Sequence, residues 1–344
     1  MNKKIALITG ITGQDGIYLC EFLLKKNYKV YGIDRKKTIS NSKRLFDKIA
    51  SNKNIKILNG DLCDQASIID IISKTKPSEI YNLAAQSDVA FSFKQPVYTG
   101  DVNALGTLRL LESIRILNLE KKIKFYQANT SELFGKVSET PQNEKTIFNP
   151  ASPYAISKLF SYWTVKNYRE SFKIFAVNGI LFNHESPLRG NQFVTKKIIK
   201  YLVKIKNNSN EILYLGNIYS RRDWGHAEDY VEMMWKMLQL KKPDDFVIST
   251  GKQYSVKEFV NKVCKILNIN IVWRFKGLKE HAVWKKGNKN KIIIKISKEY
   301  FRPSDVDNLL GDSTKARKKL KWSPKRNIDY LIKDMITSEI NANK

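Results

Sequence analysis

The order of apolar and amphipathic segments predicts an α/β fold, a doubly wound parallel sheet accompanied by a smaller mixed α/β lobe. Three observations carry that expectation. Strand-like and helix-like segments alternate over about 180 residues, the rhythm of a parallel sheet with crossover helices. The strand segments are apolar throughout instead of alternating, as when helices cover both sheet faces. The first apolar run passes directly into Gly10-Ile11-Thr12-Gly13-Gln14-Asp15-Gly16, which opens a helix.

Residues 4–9 form the first expected strand and 17–24 the first helix. Residues 28–33 and 55–59 follow as strands, 67–73 as a helix and 80–84 as a strand. The span 100–117 reads as one long helix, with Val102, Leu105, Leu108 and Leu111 on a common side. Strand 123–127, helix 154–168 and strand 172–177 complete the regular part. After Asn178 the rhythm loosens. Residues 185–191 read as loop, and helices are expected at 193–204, 229–240, 256–267 and 327–337. Short strands at 212–215, 246–248 and 271–275 lie among them, and 285–291 reads as an exposed basic turn. This later part is expected to cover the carboxyl edge of the sheet, where open α/β sheets bind ligands.

The 42% apolar content suits a globular chain of 344 residues. No apolar run approaches the roughly 18 residues of a membrane-spanning helix, so no membrane partner and a cytoplasmic location are expected. Cys20, Cys63 and Cys264 are far apart and read as reduced thiols rather than a disulfide framework. His184, His226 and His281 are equally scattered, which suggests no metal site. The net charge of +28, from 61 basic and 33 acidic residues, is spread along the chain. No recognition motif accompanies it, so no nucleic acid is expected as partner.

Gly10, Gly13 and Gly16 permit a tight turn, close phosphate approach and close helix–strand packing. The helix start would meet a pyrophosphate with unpaired amides and a favourable dipole. No Gly-Lys-Ser/Thr ending follows, which excludes the phosphate loop of an ATPase. A dinucleotide is therefore expected. Asp34, 18 positions after Gly16, suits the free ribose hydroxyls of NAD. Arg35, Lys36 and Lys37 follow it and suit the 2′-phosphate of NADP, so these residues leave the choice open. Asp61, before Leu62, either accepts an adenine hydrogen bond or makes a turn.

Tyr154 and Lys158, four residues apart, share one helix face. The ammonium is expected to lower the phenol pKa and give a base for a sugar hydroxyl. Thr130 and Glu132 follow a strand end. The first can donate a hydrogen bond and the second is a further base, which an elimination needs. Their plainer reading is a helix cap with an acidic first turn. Lys197, Arg222 and Arg302 are candidates for a nucleotide diphosphate, the arginines beside the aromatic residues Trp224, Tyr300 and Phe301.

Together these motifs resemble the GDP-mannose 4,6-dehydratase family of the extended short-chain dehydrogenase/reductase superfamily. The resemblance runs through nearly the whole chain. Residues 8–16, Phe125-Tyr126-Gln127-Ala128, Thr130-Ser131-Glu132-Leu133 and Ser152-Pro153-Tyr154-Ala155 carry it. Residues 178–187, Arg222-Asp223-Trp224-Gly225-His226 and Tyr300-Phe301-Arg302-Pro303 are its more specific parts. It implies an NADP-binding Rossmann-like domain over residues 1–180. Residues 181–344 would be mainly a substrate-binding lobe, with strand or helix returns to the first domain.

The resemblance also implies a lyase that oxidises C4 of GDP-mannose, eliminates water across C5 and C6, and returns hydride to C6. Tyr154 would take the C4 hydroxyl proton, Lys158 hold the cofactor ribose, Thr130 support the reacting hydroxyl, and Glu132 take the C5 proton. Ser131 stands where related dTDP-glucose dehydratases have an aspartate, so Glu132 would also assist water loss. NADP, or else NAD, would be held by Gly10, Gly13, Gln14, Asp15, Gly16, Arg35, Asp61, Leu62, Leu83, Ala84, Ala85, Ser87, Tyr98, Lys158, Leu181, Asn183, His184 and Arg189. The GDP-linked sugar would meet Ser87, Thr130, Glu132, Tyr154, Asn183, Lys197, Gly216, Arg222, Arg302 and Asp305.

A homodimer or homotetramer is implied as well, through a basic segment that here reads Arg35-Lys36-Lys37-Thr38-Ile39-Ser40-Asn41. Asp305 replaces a usual glutamate. Asp88 replaces a usual histidine near the sugar, which keeps a GDP-manno-heptose open as substrate in place of GDP-mannose. Epimerisation, simple oxidation and non-catalytic dinucleotide sensing are functions that the same fold could also serve.

Overall fold

The computed structural model describes residues 3–35, 52–287, 289–301, 304 and 306–342. Six strands arise in the first half: β1 (Ile5–Thr9), β2 (Lys29–Asp34), β3 (Ile55–Asn59), β4 (Glu79–Asn82), β5 (Lys124–Thr130) and β6 (Phe175–Leu181). The second half adds β7 (His184–Glu185), β8 (Leu213–Leu215), β9 (Arg221–Asp223), β10 (Gly225–His226), β11 (Phe246–Ile248) and β12 (Gln253–Ser255). Next come β13 (Ile271–Arg274), β14 (His281–Lys286), β15 (Lys289–Ile296) and β16 (Asn308–Leu309).

The main sheet has seven strands in the order β11-β6-β5-β4-β1-β2-β3, and every pairing in it is parallel. Helices cover both faces, which is why its strands are apolar without alternation. On one face helices Gln14–Lys25 and Ala227–Leu238 bury Leu19, Leu23, Met233, Met234 and Met237. On the other, helices Gln65–Thr75, Gly106–Ile116 and Pro153–Ser171 bury Ile68, Ile72, Leu110, Ile114 and Val165. The smaller lobe has its own core, where Ile198, Leu202, Phe259, Val263, Leu331 and Met335 meet against β8 and β13–β15.

Local chemistry sets the helix starts. Asp64 accepts from the Ala66 and Ser67 amides, Ser152 from the Ala155 amide ahead of a first-turn proline, and Ser255 forms a reciprocal capping box with Glu258.

Four elements depart from the sequence reading. Strand 246–248 is not one of the lobe's strands: it extends the main sheet, pairing with β6. Glu144 Oε1 accepts the Val247 amide on its outer edge at 2.8 Å. The expected helix 100–117 begins earlier, at Pro96–Gly100, and passes through a π turn at Asp101–Leu105. That wider turn shifts the helical register, so Leu105 faces solvent while Leu110, Leu111 and Ile114 supply the buried side. Strand 172–177 moves to Phe175–Leu181, because helix Pro153–Ser171 runs on to Ser171 and Lys173 turns the chain with φ +59°. The basic segment 285–291 is the tip of the β14–β15 hairpin, whose strands the lysine-rich pattern concealed.

Candidate active site

The strand order reverses between β1 and β4, the place where open parallel sheets bind ligands. A cleft of about 630 Å³ opens there, between the sheet's carboxyl ends and the smaller lobe. Its floor is the glycine-rich turn. Gly10 has φ +66°, and a methyl group there would sit 2.8 Å from Ala84 Cα. A methyl at Gly16 would sit 2.4 Å from the Gly10 oxygen. Only glycine allows both approaches.

Thr9 Oγ1 donates to Asn82 Oδ1 at 2.7 Å and accepts from the Leu83 and Ala84 amides, pinning the neighbouring loop. Helix Gln14–Lys25 starts at Gly13 with no side-chain cap. Its first-turn amides are thus available to an anion in the cleft, as a dinucleotide pyrophosphate requires. A dinucleotide cofactor fits this cradle.

Gly10, Gly13, Gln14, Asp15, Gly16, Arg35, Asp61, Leu62, Leu83, Ala84, Ala85, Ser87, Leu181, Asn183, His184 and Arg189 all line the cleft. Tyr98 does not; its hydroxyl accepts a 2.6 Å hydrogen bond from Arg35 Nη1. Asp34 also lines the cleft and accepts from Thr12 Oγ1 at 3.2 Å. Asp61 Oδ1 accepts the Cys63 amide, so the turn reading of this residue is present in the structure. Lys36, Lys37 and the rest of the basic segment to Asn41 lie outside the described residues.

The reactive groups gather at the end of β5. Thr130, Glu132, Tyr154 and Lys158 are all buried and all line the cleft. Thr130 caps the single turn Ser131–Leu133, its Oγ1 accepting the Glu132 amide at 3.2 Å, so capping and proximity to the reactive groups coexist. Burial pushes the Tyr154 phenol up to about 12, against the hydrogen bond from Thr130 and with the Glu132 charge adding to the rise. The expected lowering by Lys158 does not prevail. Burial brings Lys158 itself down to about 8, and its Nζ donates to the Ala128 carbonyl at 2.8 Å.

From the lobe, Lys197, Gly216 and Arg222 line the same cleft. Lys197 Nζ donates to the Tyr214 carbonyl at 2.7 Å and lies 3.5 Å over the Tyr300 ring. Burial lowers the pKa of this ammonium. Arg189 stacks over Phe193 at 3.5 Å and pairs with Glu185 at 2.9 Å. Asn183 Oδ1 is a buried acceptor without a partner among the described residues, as a ligand-facing group would be. Arg302 and Asp305 lie outside the described residues. Asp88 reaches the cleft but its Oδ1 caps helix Val89–Lys94 through the Phe91 amide.

The sequence reading missed Asn129, Gln192, Phe193 and Tyr214, which line the cleft too. Asn129 donates to Asn178 Oδ1 at 2.7 Å and its own oxygen is buried without a partner among the described residues. Its place beside Thr130 was the available signal; nothing local marks the other three.

A family model described as GDP-mannose 4,6 dehydratase matches residues 7–335. A GDP-mannose 4,6-dehydratase of Vibrio cholerae serotype O1 is 50% identical, the alignment covering 99% of this chain and 94% of that protein. The GDP-mannose 4,6 dehydratase of Dictyostelium discoideum is 51% identical, covering 98% and 96%. Among solved structures, a UDP-glucose 4-epimerase from Thermotoga maritima shares the fold with a TM-score of 0.82. It is 21% identical and covers 99% of this chain and 100% of its own.

The burial of Lys158 has a measurable consequence. Its fall from 10.5 to about 8 costs folding about 3 kcal/mol while the ammonium is charged. Between about 8 and 10.5 the unfolded chain keeps this proton and the folded chain does not, so the parent gains stability as pH rises through that window. Lys158→Met removes the penalty and also the bond to Ala128, worth about 2 kcal/mol for a charged donor. Denaturant melts should find the variant about 1 kcal/mol more stable at pH 7, with the advantage lost towards pH 10. A variant less stable than its parent at pH 7 would overturn this account.

Proposed function

The chain belongs to the GDP-mannose 4,6-dehydratase family, and we infer from that premise that it converts GDP-mannose into GDP-4-keto-6-deoxymannose. The observation that carries the reading is the Glu132 carboxylate near Tyr154, with Thr130 bonded to the phenol. Hydride transfer or epimerisation at C4 uses a tyrosine and a lysine; removal of water across C5 and C6 needs a further base.

When bound, the dinucleotide supplies a reversible hydride store, so that hydride leaving C4 returns to C6 and no cofactor is consumed. The Gly10–Gly16 turn, Leu83, Ala84, Ala85 and Asn183 would hold it. Tyr154 takes the C4 hydroxyl proton while Thr130 holds that oxygen. Because the buried phenol sits at about 12, this transfer needs cationic help, and Lys158 and Arg189 are the cations lining the cleft there. The new ketone acidifies C5–H, Glu132 removes that proton, and the same carboxyl delivers it to the departing C6 oxygen; the proton that Tyr154 took from the C4 hydroxyl balances the one C5 regains as C6 is reduced. Lys197, Arg222 and Arg302 are assigned to the diphosphate, and Asn183, Gly216 and Asp305 to the nucleoside side. Asp88 Oδ1 is engaged as a helix cap, and the match to GDP-mannose 4,6-dehydratases favours GDP-mannose over a manno-heptose.

NADP is the assigned dinucleotide, with Arg35 at the cleft rim for its 2′-phosphate. Asp34 in the same cleft favours the free hydroxyls of NAD as the second reading. The assembly is assigned as a homo-oligomer, because Ile156, Phe160 and Trp163 form an exposed apolar stripe along helix Pro153–Ser171. The reaction is assigned to the cytoplasm, where the three free cysteines would stay reduced.

Mass analysis of the purified protein incubated with GDP-mannose and NADP should show loss of water and a 4-keto product. Glu132→Gln should lower that rate by at least roughly a hundredfold with binding of GDP-mannose largely kept. Product formed at near-parental rate by this variant removes Glu132 from its role. Affinities of dinucleotide-stripped protein should favour NADP over NAD; the reverse order assigns the ribose contact to Asp34. Sedimentation should find an oligomer that Trp163→Glu dissociates, and a monomeric parent rejects the stripe as an interface.

A further inference from the structure

His184 opens β7 and its ring lies between two acceptors. Nδ1 is 2.9 Å from the Phe182 carbonyl oxygen and Nε2 is 2.8 Å from Asp15 Oδ2. A carbonyl and a carboxylate only accept, whereas neutral imidazole carries a single N–H. The neutral ring would leave one lone pair against an oxygen; the imidazolium donates to both. Tyr230 stacks on the ring at 4.5 Å and holds its plane.

Asp15 is in the first turn of helix Gln14–Lys25, where the dinucleotide pyrophosphate is expected. An unscreened carboxylate there would repel that anion. Gln14 ties the same turn across the cleft: its Nε2 donates to Asp15 Oδ1 and to the His184 carbonyl, both at 3.1 Å. Ser186 Oγ donates to Gln14 Oε1 at 2.7 Å.

We propose that His184 is a positioning residue that works as an imidazolium, offsetting the Asp15 charge and latching the glycine-rich turn to the segment after β6. The inference rests on the proposed function only in taking the helix start as the dinucleotide site. The charged and titratable groups around the pair are Arg189 and Glu185 from the same segment, Tyr230 from helix Ala227–Leu238, Tyr126 from β5 and Tyr154 from helix Pro153–Ser171. Burial opposes charge on His184, but Asp15 together with the Phe182 carbonyl outweighs it and raises the histidine pKa above 6.5. Asp15 is likewise opposed by burial, and His184 brings it below 3.8. The contribution of the imidazolium to stability is complete below pH 6.5 and is lost as pH rises through the raised value.

The chain has three histidines, so imidazole resonances of the full-length, dinucleotide-free protein can be followed by NMR, with His184→Asn assigning the signal. The His184 midpoint should lie above 6.5, and Asp15→Asn should bring it below 6.5, because burial, the largest influence, is then opposed by the Phe182 carbonyl alone. Unchanged His226 and His281 signals certify the fold of the variant. Adding NADP or NAD should raise the parental midpoint, by about one pH unit for each tenfold preference of the dinucleotide for the charged form. A His184 ring already neutral at pH 6.5, a midpoint unmoved by Asp15→Asn, or one unmoved by dinucleotide overturns the proposal. These readings need no turnover. Protein inactive on GDP-mannose but with the expected titration sinks the reaction assignment alone.

Discussion

Backbone lies against backbone where the first and fourth strands part, at Gly10 against Ala84 and at Gly16 against Gly10. No methyl group fits either contact, and the position of everything in the cleft depends on that closeness. It brings the uncapped start of helix Gln14–Lys25 to the sheet's edge, with its unpaired amides facing the cleft. It brings the Leu83–Ala85 loop within reach of the Thr9 hydroxyl. Through Gln14 and Asp15, it also fixes where the chain must pass after leaving β6. A side chain at either glycine would force the helix away from the strand and open all these contacts together.

Beneath the reactive groups the sheet is polar where most sheets are oily. Asn82 donates to Gln127, which also receives the Thr107 hydroxyl, and Asn103 donates to Ser157 inside helix Pro153–Ser171. Asn103 also exchanges hydrogen bonds with both backbone atoms of Gln86, ahead of Ser87 and Asp88. Satisfied networks of this kind hold one geometry because each member leaves a costly vacancy if it moves. They hold the helix that presents Tyr154 and Lys158 in register with β5, which presents Thr130. The cleft itself works against charge: burial moves the phenol and the ammonium both towards neutrality. Rigid support below and desolvation above are two halves of one arrangement, since a desolvated ion needs a fixed partner to be useful.

Much of this was legible in the sequence because the relevant spacings are short. The glycine-rich turn is local, Tyr154 and Lys158 are one helical turn apart, and Thr130 and Glu132 sit at a strand end. What escaped has a physical cause in each instance. The π turn at Asp101–Leu105 breaks the period on which helical stripes are read, so Leu105 reads as inward and lies outward. Strand Phe246–Ile248 is three residues long, too short for periodicity to tell which sheet it joins. The pairing of Asp15 with His184 crosses 169 residues and has no local signature. Tyr98 reads as a cleft residue, but it does not line the cleft and instead accepts a hydrogen bond from Arg35, which does. Asp88 has a cap role that its neighbours Val89 to Phe91 announce only once the helix is known.

The late arrival of strand Phe246–Ile248 bears on how the chain is made. Its partner β6, Phe-Ala-Val-Asn-Gly-Ile-Leu, is complete at Leu181, yet the strand that covers its outer edge ends at Ile248, 67 residues later. At roughly 5–20 residues per second, a ribosome needs several seconds to deliver it. Throughout that interval a growing chain carries an apolar strand with one row of amides and carbonyls unpaired, the template on which other chains can add. Glu144, which later seals the outermost edge, has been synthesised by then but has no strand to bind. The nascent protein is therefore exposed to aggregation, and served by chaperone cover, between the emergence of β6 and that of β11.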